Sequence, residues 1–65
     1  MPTQTLNAEL SELYQRLMVD NQKAFDLEKY GIAYHVLTAA LHCQDTLQDA
    51  QSLSDIEQRA GEQLA

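Results

Sequence analysis

The sequence predicts a small all-α protein: an antiparallel two-helix hairpin with a short C-terminal third helix, completing a bundle by dimerisation. Three observations lead there. At 100° per residue, Leu6, Leu10, Leu13, Leu17 and Ala24 fall within about 60° of one another, the stripe of an amphipathic helix. That stripe then changes phase: on one straight helix, the face of Ala33, Val36, Leu37, Ala40 and Leu47 would point about 140° away. Two apolar faces so turned require a break and a reversal. Size supplies the third observation. A chain of 65 residues buries only about 60% of the surface its unfolded form exposes, so disulfides, a metal or a partner subunit usually supplement the core. Cys43 is the only cysteine and cannot pair within the chain, which excludes a disulfide scaffold.

The first helix is expected over residues 5–29. Thr3 or Thr5 is placed to cap it, and Glu9 and Glu12 stand in its early turns, where the helix dipole favours anions. Glu12 and Arg16 are spaced i,i+4 with the acid first, the better orientation. Ser11, Gln15, Gln22 and Asp26 lie opposite the leucines. Asp20 and Asn21 interrupt the pattern by projecting onto the leucine side. Such a step marks a frayed or kinked turn, or the end of the core; its functional counterpart is a polar groove for a partner.

Glu28-Lys29-Tyr30-Gly31 is the expected turn, with Gly31 supplying the left-handed backbone that ends helices. So short a connection places the two helices antiparallel and adjacent. The second helix, expected over residues 31–50, carries an apolar arc of about 220°, where a single neighbour needs about 100°. This helix must be covered on two sides. Ala33, Ala39 and Ala40 permit a close approach. A break is expected over Gln51 to Ser54, where Ser54-Asp55-Ile56-Glu57 fits a capping box. The third helix, residues 54–63, shows Leu53, Ile56, Ala60 and Leu64 on one side. Gly61 weakens it by about 1 kcal/mol relative to Ala.

Tyr30 at the turn, followed by Ala33, Leu37, Ala40 and Leu41, matches an aromatic, a small residue, a large apolar residue and an Ala-Leu pair at fixed spacing. In this the segment from Leu17 to Leu41 resembles a single tetratricopeptide-type hairpin. Asp20 and Asn21 occupy that repeat's Leu-Gly step, no proline closes the unit, and no second copy follows at its period. The resemblance implies a protein-binding or self-associating helical module, because such units stack to become stable.

Ten acidic against four basic residues give a net charge of −6. Nucleic acid binding rests on clustered Lys and Arg, and Arg16, Lys23, Lys29 and Arg59 form no stripe. The uncharged stretch from Gly31 to Gln44 is too short to span a membrane. The amino end shows no signal-peptide pattern, so cytoplasm is the expected location. No cofactor is implied: glycine-rich phosphate loops and CxxC pairs are absent.

His35 and His42 point the same way along the second helix, yet seven residues separate them by about 10.5 Å, too far to share one metal ion. With Thr38, Asp45, Thr46 and Asp49 they form a solvated face; a metal bridged at a dimer seam is the sharper alternative. Cys43 falls inside the apolar arc and reads as a buried, inert thiol. The remaining candidates are Tyr14, Met18, Phe25 and Tyr34, which are either core or a patch for a partner or a second copy, since aromatics and Met are enriched at interfaces. No set of residues specifies a reaction. The expected function is a non-enzymatic protein-interaction or regulatory module acting as a homodimer or on a protein partner. The alternatives are a metal- or ligand-binding bundle with His at a dimer seam, and a structural subunit of a larger complex.

Overall fold

The computed structural model describes residues 2–64, with side chains described from residue 7 onward. Three helices run in order: α1 (Pro2–Asp26), α2 (Tyr30–Leu47) and α3 (Ala50–Leu64). No strand occurs among the described residues. The Cα framework measures 41 × 18 × 13 Å, with α1 setting the long axis. α1 and α2 form the expected antiparallel pair. α3 returns alongside, parallel to α1, with Tyr14 opposite Ser52 and Asn21 opposite Gln63.

Both turns differ from the sequence expectation. α1 ends at Asp26 rather than near Lys29, and Gly31 lies inside α2 with no positive φ. Glu28 takes the left-handed conformation instead, at φ 62°. Around it the Lys29 N–H donates to the Ala24 carbonyl and the Glu28 N–H to the Phe25 carbonyl, both at 2.9 Å. These are the two bonds of a Schellman cap, which satisfies the last free carbonyls of α1. The reversal brings Phe25 against Tyr30, with ring centroids 5.2 Å apart and planes tilted by 59°. Holding a non-glycine residue in that conformation costs about 1 kcal/mol.

The second break falls at Gln48–Asp49, not at residues 51–54. Gln48 adopts φ 53°, ψ 40° and donates its N–H to the Gln44 carbonyl. Asp49 then caps α3. Its Oδ1 accepts the Gln51 N–H at 3.2 Å, and its Oδ2 accepts the Ser52 hydroxyl at 2.9 Å. A carboxylate before the first turn satisfies a free N–H and suits the dipole, so Asp49 displaces Ser54 from the capping role. α3 is consequently longer than expected, and Ser54 and Glu57 are exposed within it. At the amino end α1 begins at Pro2, a residue favoured in a first helical turn. Thr3 and Thr5, expected as caps, lie inside the helix, and their side chains and that of Leu6 fall outside the described ones.

The core consists of Tyr14 and Met18 from α1, Leu37, Ala40 and Cys43 from α2, and Ile56 from α3. Leu10, Leu17, Leu41, Leu47 and Ala60 pack around it, half-buried. The buried face of α1 is therefore Tyr14, Met18, Asn21 and Phe25, rotated about 80° from the centre of the leucine stripe; Leu13 stays 46% exposed. The rotation follows from double coverage, since α2 takes one flank of α1 and α3 docks over the Tyr14–Met18 edge. α2 is covered on two sides, as its wide arc requires, with Ala33 and Ala40 fully buried. α1 and α2 pack along most of their length, whereas α3 meets α2 over a much shorter stretch.

Candidate protein-interaction surface

The least expected feature of the molecule is Asn21, which is completely buried. Its Nδ2 donates to the Ala33 carbonyl at 2.6 Å and to Gln63 Oε1 at 3.1 Å. Its Oδ1 accepts from Gln63 Nε2 at 2.6 Å and from Arg59 Nη1 at 3.2 Å. Two donors and two lone pairs are all the side chain possesses, so the amide is saturated. The same Arg59 nitrogen donates to the Met18 carbonyl at 2.7 Å. One asparagine thus ties α1 to both other helices. The helix runs unbroken through Asp20 and Asn21, so the step is neither a frayed turn nor the end of the core.

A second polar link lies at the other end of α3. The buried Tyr14 hydroxyl donates to the Ser52 carbonyl at 3.2 Å. Burial pushes the phenol pKa upward, and the carboxylate of Asp55 adds to the rise. No buried side-chain nitrogen or oxygen is left without a partner among the described residues.

The Asn21–Gln63 pair fixes the C-terminal turn of α3 against the start of α2, and this creates the candidate surface. Leu64 comes to stand beside Tyr30 and Tyr34 around a shallow groove of about 70 Å³, whose lining includes Phe25, Ala33, Leu37 and Gln63. Tyr30 is 56% exposed, Tyr34 57% and Leu64 72%. Tyr30 and Tyr34 are one helical turn apart and share a face. The result is an apolar, largely aromatic end to the bundle, anchored underneath by a polar clasp.

The four residues singled out from sequence therefore separate. Tyr14 and Met18 are buried core, Phe25 is half-buried against Tyr30, and only Tyr34 stands open to solvent. Tyr30 and Leu64 belong to the exposed surface and were not expected there. The sequence pattern places Tyr30 in the turn and Leu64 on one side of the third helix with Leu53, Ile56 and Ala60. The i,i+4 relation of Tyr30 to Tyr34 and the position of Leu64 on the last turn of α3 are the signals that could have found them.

His35 and His42 are exposed on the outer side of α2, and no group of three or more His, Cys, Asp or Glu side chains placed to hold a metal ion occurs among the described residues. Cys43 is free and buried. A groove between α1 and α3, about 420 Å³, is rimmed by Asp55, Gln58 and Glu62, and its one cation, Arg59, is already engaged with Met18 and Asn21. A larger hollow of about 600 Å³ is lined from α1 alone, by residues such as Glu12, Arg16 and Asp20, and is open space beside a helix rather than an enclosed site. No helix among the described residues is long and apolar enough to cross a membrane. No protein-family model, curated protein or solved structure matches the chain.

Proposed function

We propose that this chain is a small non-enzymatic interaction or regulatory module that presents the Tyr30–Tyr34–Leu64 end of its bundle to protein, with a second copy of itself as partner. One observation carries the reading: three large apolar side chains, each more than half exposed, surround a single groove. Water-exposed aromatic and leucine side chains gathered in one place favour burial against another surface, and aromatics are enriched in interface cores. The tetratricopeptide-like spacing from Tyr30 to Leu41 supports it, since such hairpins are covered by stacking. A net charge of −6 argues against a nucleic acid partner. The free, buried Cys43 accords with a reducing cytoplasm.

Sedimentation equilibrium over a wide concentration range tests the proposal. The wild-type chain is expected to dimerise, and Tyr34→Ser or Leu64→Ser to weaken the dimer at least about tenfold, the loss of one buried large apolar contact. A wild-type chain that stays monomeric at every concentration removes self-association. A dimer untouched by both substitutions places the interface elsewhere.

A further inference from the structure

α3 is held differently from the other two helices. Its only fully buried apolar residue is Ile56, aided by the half-buried Ala60. The rest of its attachment is polar: Ser52 to Tyr14, Arg59 to Met18 and Asn21, and Gln63 to Asn21. α1 and α2, by contrast, interlock over most of their length around Tyr14, Met18, Leu37 and Ala40. The link from α2 to α3 is only Gln48 and Asp49, and Gln48 sits in a left-handed backbone conformation that a glutamine rarely adopts. Interhelical hydrogen bonds that water can replace contribute less than buried apolar surface, so α3 is the element whose release costs least.

Its release also dismantles the exposed surface. Leu64 stands beside Tyr34 only while Gln63 is paired with Asn21, because the two residues are consecutive on the last turn of α3. We infer that α3 is a strap that opens as a unit from a persisting α1–α2 hairpin, and that closure of its Asn21–Arg59–Gln63 clasp assembles the partner surface. The inference rests on the proposed use of that surface and supplies its regulation. Affinity for the partner falls in proportion to the fraction of chains with the strap closed, and a bound partner holds the strap shut.

Native-state amide hydrogen exchange on the wild-type chain is the first test. The amides of α3 are expected to exchange as one group, at least about tenfold faster than those of Met18, Leu37 and Ala40. Exchange of all three helices at one common rate overturns the strap. The second test is Ile56→Ala combined with Arg59→Ala, neither of which lines the Tyr30–Tyr34–Leu64 groove. Selective loss of α3 protection, together with a dimer weakened at least about tenfold, is the expected result. If α3 opens in that variant while dimer affinity is unchanged, strap and surface are uncoupled: the inference fails and self-association stands. If the wild-type chain is monomeric throughout, self-association fails and the coupling with it. Should the double variant lose all helical structure, exchange in the wild-type chain decides.

Discussion

Asn21 and Gln63, 42 residues apart in sequence, form a reciprocal amide pair. Each donates to the other, with the shorter bond, 2.6 Å, from Gln63 Nε2 to Asn21 Oδ1. The pair lies under the aromatic end of the bundle and gives the third helix its register against the first.

Replacing Asn21 by Ala or Leu leaves the Gln63 amide and the Arg59 fork facing an apolar site. Leaving such a group unpaired costs about 1–3 kcal/mol, and the expected loss is about 2 kcal/mol because the Gln63 amide is orphaned while Arg59 keeps the Met18 carbonyl. Urea denaturation measures it. A change below about 0.5 kcal/mol, the level of an ordinary surface substitution, contradicts the network's role.

The two glycines make a paired prediction. Both lie within helices, neither has a positive φ, and an added Cβ would meet nothing within 4 Å. Gly61→Ala is expected to raise stability by about 1 kcal/mol, and Gly31→Ala, near the start of α2, by less. Thermal melting separates this from a turn at Gly31, for which alanine would destabilise.

Glu28 and Gln48 hold the left-handed positions that glycine normally takes. Glu28→Gly and Gln48→Gly are each expected to gain about 0.5–1 kcal/mol, as relief of backbone strain outweighs the greater freedom of the unfolded chain. Equal or lower denaturation midpoints for both would show that the caps lie elsewhere.

Tyr14 gives the fold an alkaline limit. Its pKa is raised in the folded state by burial first and Asp55 second, while the unfolded phenol titrates near its ordinary value. Below about pH 10 both states keep the proton and the contribution is constant; above that the unfolded chain loses it first, and stability declines until the folded pKa is passed. Denaturation midpoints measured from pH 8 to 11 are expected to fall at the top of that range. In Tyr14→Phe the decline due to this group vanishes, and stability near neutral pH drops by about 1 kcal/mol for the lost bond to Ser52.

Much of the local structure was legible in the chain. The phase change near Gly31 required a hairpin, and the wide arc around Ala40 required cover on two sides, which α1 and α3 supply. Cys43 sits inside that arc and is buried. Turn positions were less legible, because glycine marks where left-handed backbone is cheap rather than where packing demands it. The cap closes around Glu28, three residues before Gly31, and brings Phe25 against Tyr30. Asp49 outcompeted Ser54 as a cap because a carboxylate one residue after the left-handed Gln48 already meets a free N–H of the first turn.

Periodicity and charge, which depend on neighbours three and four residues away, determined that this protein is helical, that it folds back, and that it has an acidic surface without a basic stripe. Only the tertiary structure decided what Asn21 does and where the exposed surface lies. A lone polar residue on an apolar face reads as a defect until its partners arrive, and Ala33, Arg59 and Gln63 come from two other helices. The same holds for the groove beside Tyr34: Leu64 joins it from α3 next to Gln63, whose pairing with Asn21 no local pattern encodes.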